Sequence, residues 1–513
     1  MAKKLVVAML CVVACLTMTQ LEAASEYHFE IHSESFEVIE GAIHRRFEVT
    51  IHRGGHTSRQ VIHLLEGNPT QNPRLKVVVG DGFSDMSYGR QTLPVIATNI
   101  EVRHAPLQVI GGINGDFFNM ITGIPVEAHV RDGEVLAEGL GYERPLIGFK
   151  EDGSVVFGRP CFGPYTMTIF DAYGHEKITL DVSRFNQPPT HDEDVTVYFE
   201  QATQVPLGHH QAFTVSAADI KSDGHGARYY GRGPIISLEA PTGTVDSGTF
   251  VVVSDHPALA DLRTVGDIVR VHRPLGCDFE GVKWVIGAWG HLVKEGQAVQ
   301  HFTEGAGIYT NHPRTAVGVR EDGTVLLVTV DGRNPQDGMT GMTMMELADL
   351  MAHLGAVEAY NLDGGGSTTM VTAQDQGFHV VNTPSDGSVR PVSNGIFFVV
   401  NPSQSGPPTH NQTVLTTPTQ VHIDQHVLTW QEVPNRAGFR VDTGEDTMDT
   451  AMRKVDLSAL PPGLHSVRVK ALGDGWLTQD SPYSSPQSYL VYPHDYEALN
   501  TFIRNLAMAP LNP

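Results

Sequence analysis

A block near the middle of the chain constrains the fold more than any other part of it. Residues 324–330 form a continuous apolar run, as strands buried on both faces do, and residues 356–362 form a second one. Between them, apolar residues recur at close to the 3.6-residue period of an α-helix over residues 340–354. Thr343 and Glu346 have the spacing of a capping box at the start of this helix. The block therefore predicts a βαβ unit with two parallel strands.

The rest of the chain indicates strands and turns rather than further helices. Asp-Gly pairs stand between apolar runs at residues 132–133, 152–153 and 322–323, and this pair favours tight hairpin turns. Glycine and proline, at 52 and 31 of 513 residues, add to the turn content. We expect residues 27–400 to form one β-rich catalytic domain of the α+β class that contains the βαβ unit.

A separate all-β module is expected after this domain. Residues 401–420 are rich in Pro, Ser and Thr and are expected to be a linker. Residues 427–430 resemble the Trp-bearing strand of a fibronectin type III module, and residues 460–469 resemble its later turn and strand. His465 stands where that family usually has a tyrosine. The resemblance implies a β-sandwich over residues 421–493.

The N-terminal residues predict export from the cytoplasm. Two lysines precede a short apolar run, residues 5–16, and small residues follow near Ala24, as in a signal peptide over residues 1–24. Its end has two interpretations: cleavage near Ala24, or a lipobox ending at Cys15, which would then carry a lipid anchor. Either one predicts a secreted, periplasmic or cell-surface protein. At the other end, residues 494–513 are expected to be a tail.

The charge and the cysteine content of the chain limit which binding partners and cofactors are expected. The net charge of −23 would repel the phosphates of nucleic acid, which is therefore not an expected partner. Cys161 and Cys277 are the only cysteines after the predicted signal, and whether they pair is left open by the sequence. No group of Cys and His has the spacing of a zinc site, so we expect no structural zinc. We expect no cofactor, and a bound divalent cation is left open as the alternative.

Both predicted strands of the βαβ unit end in an Asp-Gly pair. Asp331 and Arg333 follow the first strand. The second strand is followed by Asp363, Gly364, Gly365, Gly366 and Ser367. Because the carboxyl ends of parallel strands meet at one edge of a sheet, we expect the two carboxylates to be neighbours there. The plainer alternatives are that Asp363 caps a turn, that Arg333 pairs with Asp331 at the surface, and that Glu346 only caps its helix.

These strand ends suit an anionic ligand. Successive glycines let the backbone approach a ligand and present amide donors, and the planar guanidinium groups of Arg333 and Arg314 match phosphate. A further polar segment, residues 111–119, alternates Asn114 and Asp116 with glycine before two phenylalanines. Asn and aromatic side chains bind sugars, and the plainer alternative is a turn followed by core phenylalanines.

Taken in order, these segments resemble the phosphodiester glycosidase family over about residues 40–400. The resembling segments are residues 113–118, 313–318, 331–333, 346–356 and 361–370. Residues 287–291, Gly-Ala-Trp-Gly-His, stand where the family has a plainer glycine-rich turn. The resemblance implies hydrolysis of the glycosidic bond of a sugar 1-phosphodiester, with cell-surface or extracellular polysaccharide as the substrate context.

The resemblance also implies roles for particular residues. Asp331 and Asp363 are expected to be the catalytic carboxylates, in an order left open, with Arg333 acting on the phosphate. The expected substrate-binding residues are Asn114, Asp116, Arg314, Asn361, Gly364, Gly365, Gly366 and Ser367. Two other classes compete with this interpretation. One is a metal-dependent phosphodiesterase whose divalent cation is held by Asp116, Asp331 and Asp363, and the other is a polysaccharide-binding surface protein without catalysis.

Overall fold

The computed structural model of the chain describes residues 27–492, apart from short gaps. The gaps are residues 54–55, 84–87, 140–143, 160, 200–204, 206–210, 217–220, 223–228, 240–242, 303–306, 375–376 and 404–411. The predicted signal peptide with Cys15, the middle of the predicted linker and the predicted tail lie outside the described residues. Among the residues described, no helix combines the length and the apolar character that a membrane crossing requires.

Strands dominate the fold, as predicted. The first ten are β1 (His28–Ile39), β2 (Ala42–Arg53), β3 (His56–Gly67), β4 (Leu75–Asp81), β5 (Gln108–Asn114), β6 (Glu127–Arg131), β7 (Glu134–Gly139), β8 (Leu146–Phe149), β9 (Val155–Gly158) and β10 (Cys161–Phe162). The next ten are β11 (Thr166–Phe170), β12 (Glu176–Asp181), β13 (Arg184–Phe185), β14 (Thr196–Phe199), β15 (Ala212–Ser216), β16 (Lys221–Ser222), β17 (Tyr229–Ser237), β18 (Thr249–Val253), β19 (Ile268–His272) and β20 (Leu275–Gly276).

The remaining strands include those that carry the site. They are β21 (Trp284–Gly287), β22 (His291–Lys294), β23 (Gln297–Ala298), β24 (Arg314–Val319), β25 (Val325–Val330), β26 (Glu358–Asn361), β27 (Met370–Gln374), β28 (Gly377–Val380) and β29 (Asn394–Val400). The C-terminal strands are β30 (Thr413–Val414), β31 (His422–Asp424), β32 (Val427–Thr429), β33 (Gly438–Asp442), β34 (Thr447–Thr450), β35 (Lys454–Asp456), β36 (Gly463–Leu472), β37 (Thr478–Gln479) and β38 (Gln487–Val491). The α-helices are α1 (Leu93–Arg103), α2 (Leu259–Leu262) and α3 (Met344–His353).

The central sheet has eight strands in the order β1-β2-β3-β25-β24-β26-β22-β23. Strands β25 and β26 are both antiparallel to β24, which lies between them, so they run in the same direction. The strand–helix–strand order of the sequence is therefore present, but the two parallel strands are not hydrogen-bonded neighbours as expected for a simple βαβ unit. The turns after β25 and β26 consequently flank the start of β24.

Helix α3 begins as its sequence predicts. Thr343 is the N-cap: its hydroxyl accepts from the Glu346 amide, and the Glu346 carboxylate accepts from the Thr343 amide at 2.7 Å. This reciprocal pair satisfies two backbone donors that the first helical turn leaves open. Gly355 follows the helix with a φ of 85°, where a residue with a side chain would be strained. Glu346 is thus occupied in capping.

A second sheet, β28-β27-β5-β29-β4, packs on the central sheet and completes the core under the site. Along β25, Val325 and Leu327 pack against this second sheet. Leu326, Val328 and Val330 pack on the opposite face, against α3. The alternation explains why β25 is apolar on both faces. A third sheet, β7-β6-β21-β8-β9, lies beside these two and contributes Glu127 and Gly287 near the site.

The chain between β10 and β20 forms a further sheet with its own apolar core. Its path is β12-β11-β19-β17-β15-β18-β14-β13, with β16 paired to β17. Strands β10 and β20 pair at its base, and a disulfide joins Cys161 to Cys277 there. The structure therefore answers the question that the sequence left open about these two cysteines.

The C-terminal strands form a separate β-structure whose core includes Trp430 and Phe439. Buried His465 has its Nε2 at 2.8 Å from the carbonyl of Pro461, four residues upstream. A corner tyrosine makes an equivalent bond in sandwich domains of this kind. The fibronectin type III assignment remains a prediction. Arg45 in β2 joins this module to the catalytic region by donating to the carbonyls of Ala437 and Arg436 at 2.8 and 3.0 Å.

Candidate active site

The turn after β26 is bonded to the turn after β5, which brings together two segments far apart in the sequence. The amide of Asp363 donates to the carbonyl of Gly115 at 2.9 Å. The Asn114 Nδ2 donates to the carbonyl of Asp363 at 2.7 Å. Asp116, the next residue after Gly115, therefore lies beside Asp363. Asp116 and Asp363, two of the predicted site residues, are therefore neighbours because of contacts between distant segments, which no local sequence pattern predicts.

Asn114 holds this arrangement together. Its Oδ1 accepts from the hydroxyl of Thr315 at 2.9 Å and from the amide of Thr369 at 3.0 Å. The side chain is fully buried. These contacts join β5, β24 and the loop before β27, so they indicate a positioning residue rather than the predicted contact to a sugar hydroxyl.

Asp116 is a buried acid with an unusual protonation state. Its Oδ2 accepts from the Glu127 amide at 2.9 Å, and its own amide donates to the Asn394 Oδ1 at 2.9 Å. Among the described residues, its Oδ1 has no hydrogen-bond partner. Burial, reinforced by the charges of Glu127 and Asp363, raises the pKa of Asp116 to about 8. Asp116 is therefore protonated at neutral pH.

Asp363 is the charged member of the pair. Burial raises its pKa to about 6, against the opposing effects of a hydrogen bond from Ser367, the charge of Arg390 and the Gly364 amide. Asp363 is thus an ionised carboxylate at neutral pH and is partly accessible to solvent. Two neighbouring carboxyl groups whose pKa values are pushed apart are suited to different roles in one reaction.

Asp331, the other predicted catalytic residue, has structural partners. It is 3% exposed, and its two carboxylate oxygens lie at 3.0 and 3.2 Å from the amide nitrogen of Thr383. The neighbouring Asn382 accepts from the Met370 amide at 2.7 Å and donates to the Thr368 carbonyl at 3.1 Å. Asp331 therefore fastens the segment that clamps the far end of the glycine loop. Its contacts do not match the expected pairing with Asp363.

Two of the three glycines after Asp363 are needed for the close approach of two arginines. A Cβ atom on Gly365 would lie 2.8 Å from Arg333 Nη2. A Cβ atom on Gly366 would overlap Arg390 Nη2. The Gly365 amide donates to the Pro313 carbonyl at 2.9 Å, so this amide is used within the protein. The Gly364 amide bonds the Asp363 carboxylate, so it is used within the protein as well. The loop is thus a surface on which guanidinium groups lie, and these two amides are not free for the phosphate contact expected from the sequence.

Arg333 is the arginine that is available to a ligand. It is exposed, and among the described residues its side chain has one hydrogen-bond partner, the His312 Nδ1, at 3.4 Å from Nη2. The surface ion pair with Asp331 that the sequence allowed is not formed. Its φ of 57° is uncommon for a residue with a side chain, and such conformations cluster at functional sites.

Arg390 is a site residue that sequence reasoning missed. Its Nε and Nη2 donate to the Asp386 Oδ2 at 2.9 and 2.6 Å, and its Nη1 donates to the Ser367 hydroxyl at 3.3 Å. Ser367 in turn bonds Asp363. The available signal was an arginine in a polar turn, residues 384–390, just before the apolar strand β29.

Arg314 differs from Arg333, although both were expected at the phosphate. It is 7% exposed, and its Nε donates to the Met342 carbonyl at 2.7 Å. Its Nη2 donates to the carbonyls of Gly307 and Thr310 at 2.6 and 2.9 Å. Burial lowers its pKa to about 10. These contacts indicate that Arg314 holds the segment leading into β24.

Two aromatic residues border the carboxylate pair. The rings of Phe117 and Trp289 are 6.4 Å apart and nearly perpendicular, and both side chains are half-buried. The Trp289 amide donates to the Asn361 carbonyl at 2.9 Å. The lack of a side chain at Gly287 leaves the space that Asp116 occupies, since a Cβ there would overlap Asp116 Oδ2.

Three residues of the segments described above carry buried polar atoms that lack a partner. Within the described ranges, the Oδ1 of Asn361 and the Nδ2 of Asn394 are buried without a hydrogen-bond partner, as is the Oδ1 of Asp116. Such atoms are costly unless a water or a ligand group completes them. A water or a polar ligand group would satisfy these atoms, and the binding roles of Asp116 and Asn361 stay predictions.

A cavity of about 1020 Å³ lies between the first strands and the C-terminal module, away from the carboxylate pair. Arg45, Arg320 and Arg436 are among the residues that line it. In the part of the chain that the structure describes, no three His, Cys, Asp or Glu side chains are grouped so as to hold a metal ion.

Comparison with known proteins supports the family resemblance over part of the chain. A family model described as phosphodiester glycosidase matches residues 221–399, which confirms the resemblance found in the sequence over this range. This range holds Arg333, Asp363 and Arg390, whereas Asp116 lies before it.

Particular relatives share only part of the chain. An uncharacterised SPβ prophage-derived protein of Bacillus subtilis, YomE, is 36% identical over 110 residues, which cover 21% of this chain and 16% of that protein. The N-acetylglucosamine-1-phosphodiester α-N-acetylglucosaminidase of Mus musculus is 27% identical over 140 residues, 26% of each chain. The structure of the catalytic domain of the zebrafish enzyme of that name aligns over 72% of this chain and 87% of its own, with 15% identity and a TM-score of 0.37.

Proposed function

We propose that this protein is an exported hydrolase that cleaves the glycosidic C–O bond of a sugar 1-phosphodiester and releases free sugar and a phosphomonoester. An N-acetylglucosamine-like sugar is the proposed substrate, by analogy with the names of the mouse and zebrafish enzymes. Cell-surface polysaccharide or exopolysaccharide is the proposed context, because the N-terminal residues read as an export signal.

One observation carries the proposal: opposite charges meet across a single glycine loop. Ionised Asp363 begins the loop, with protonated Asp116 beside it. The guanidinium groups of Arg333 and Arg390 lie against the next glycines. A substrate that has an electrophilic carbon next to a phosphate diester matches this order of groups.

The proposed mechanism uses Asp363 at the anomeric carbon. Asp363 either attacks that carbon or takes a proton from the attacking water, and the C–O bond breaks with its electron pair going to the phosphate oxygen. Arg333 and Arg390 stabilise the charge that develops there. Water supplies the hydroxyl group of the sugar, and its remaining proton leaves to solvent through Asp363. Protonated Asp116 donates a hydrogen bond to a sugar oxygen.

The chemistry of the leaving group explains why one charged carboxylate is enough. A phosphomonoester has a second pKa of about 6, so it departs at neutral pH without being protonated by the enzyme. An ordinary glycosidase, whose leaving group is an alcohol, needs a strong general acid. Attack at phosphorus would instead bring Asp363 up to the negatively charged phosphate, which is less favourable.

The proposal is tested by incubating the purified chain with the methyl phosphodiester of N-acetylglucosamine 1-phosphate. We expect free N-acetylglucosamine and methyl phosphate, resolved by NMR, and the anomer formed first distinguishes retention from inversion. N-acetylglucosamine 1-phosphate and methanol would instead indicate cleavage at phosphorus. Loss of activity on chelator treatment would favour the metal-dependent phosphodiesterase, and binding without products would favour the polysaccharide-binding protein.

A further inference from the structure

The residues around Trp289 offer an explanation of how the sugar is chosen. Trp289 follows Gly287, whose missing side chain leaves room for Asp116, and its amide is bonded to Asn361. Phe117 directly follows Asp116. Both aromatic rings are therefore attached to segments that also carry polar atoms of the site.

The rings of Phe117 and Trp289 have different neighbours. The guanidinium of Arg144 lies 5.7 Å from the centre of the Phe117 ring, and Phe117 meets Trp289 edge to face. One part of Trp289 packs against the core around α3, and its side chain is still half-buried rather than buried. Trp289 is thus held by Phe117 and by the core around α3, with a half-buried indole on a segment that bonds Asn361 and begins at Gly287, which Asp116 contacts.

We infer that Trp289 is the specificity-determining residue for the sugar, its indole supporting the C–H face of a six-membered pyranose ring. This inference rests on the proposed function. A pyranose ring is wide enough to cover an indole with one face while its hydroxyl groups reach polar side chains at its rim. A five-membered furanose ring presents a smaller apolar face, so it gains less from the same contact. The substrate class is then a pyranosyl, rather than a furanosyl, 1-phosphodiester.

The experiment compares Trp289→Ala and Trp289→Phe with the unchanged protein. The substrates are the methyl phosphodiesters of glucose 1-phosphate and ribose 1-phosphate. We expect the unchanged protein to prefer the glucosyl substrate by about tenfold or more in kcat/KM. Trp289→Ala should raise KM for the glucosyl substrate by about the same factor and remove most of the preference, and Trp289→Phe should restore part of it. Tyr173→Ala, at an exposed residue of the inserted sheet, is the control.

A binding measurement separates this inference from the proposed function. In the Asp363→Asn background, the affinity for the methyl phosphodiester of glucose 1-phosphate is measured by calorimetry, with and without Trp289→Ala. The inference predicts a loss of affinity of about tenfold, whether or not the protein turns the substrate over. Unchanged affinity, or a preference for the glucosyl substrate that survives Trp289→Ala, would overturn the inference and leave the glycosidase proposal standing. If the protein does not turn the substrate over but Trp289→Ala still lowers its affinity, the glycosidase proposal is overturned and the inference about Trp289 stands.

Discussion

The turns that follow β25 and β26 look alike in sequence and differ in what they do. Each begins with Asp-Gly at the end of a buried strand, and both flank the start of β24. Asp331 in the first turn accepts from the Thr383 amide and is 3% exposed. Asp363 in the second is partly accessible, with Asp116 on one side and Arg390 on the other. Both aspartates stand at the end of a buried strand, so this position alone does not explain the difference. The segments that pack against each carboxylate determine whether it is bonded within the protein or accessible to a ligand.

Neutralising each aspartate in turn tests whether Asp363 and Asp331 have different roles. Asp363→Asn should lower kcat by about 10³-fold, because the group that acts at the anomeric carbon loses its charge. Asp331→Asn should lower kcat by less than about tenfold, because an amide oxygen still accepts from Thr383. Steady-state kinetics on both variants measures the difference. Equal losses would contradict the separation of roles.

A second comparison concerns the two arginines that the sequence treated alike. Arg333→Gln should raise KM by roughly 10- to 100-fold with little change in thermal stability, because a charge-assisted contact to the phosphate is lost. Arg314→Gln should instead lower the free energy of unfolding by about 3 kcal/mol, because three backbone carbonyls lose a buried donor. Arg59→Gln, at an exposed side chain, is the control. A purely kinetic effect at Arg314 would show that it acts on substrate.

The pKa values of the carboxyl pair predict a bell-shaped dependence of kcat/KM on pH. Asp363 must be ionised, so activity should fall as the pH drops through about 6. Asp116 must keep its proton, so activity should fall again as the pH rises through about 8. A profile that stays flat between these two values and beyond them would contradict the assignment.

The smallest effect is expected for Asp116→Asn. The amide keeps an acceptor for the Glu127 N–H and a donor in place of the carboxyl proton, so kcat/KM at neutral pH should fall by less than about tenfold. The alkaline fall in activity should disappear, because asparagine does not titrate. A pH profile of this variant checks both points, and an unchanged alkaline limb would assign that limb to another group.

Sequence reasoning succeeded where the pattern was local. The period of apolar residues and the Thr343–Glu346 spacing predicted α3 and its cap, because helices are determined by residues three and four apart. The sequence also predicted that β25 and β26 end close to an Asp-Gly pair, and they do. The two strands run parallel, as predicted, but they are separated in the sheet by β24, which precedes both in the chain.

Sequence reasoning did not reach the contacts between distant segments. Asp116 lies beside Asp363 because the Asp363 amide bonds Gly115, a contact between different sheets. Arg390 enters the site from a turn after β28, and Arg314 is withdrawn from it by carbonyls of its own loop. These outcomes depend on which polar groups are left unpaired after the sheets pack, and one sequence does not contain that information in a local form.

In the proposed reaction, the bond between the anomeric carbon and its oxygen breaks, with Asp363 acting at that carbon. Hydrolysis of the methyl phosphodiester of N-acetylglucosamine 1-phosphate in ¹⁸O-labelled water distinguishes this cleavage from attack at phosphorus. We expect the label in the sugar and none in methyl phosphate, and we expect Asp363→Asn to abolish its incorporation. Label in a phosphate, or undiminished incorporation by the variant, would contradict it.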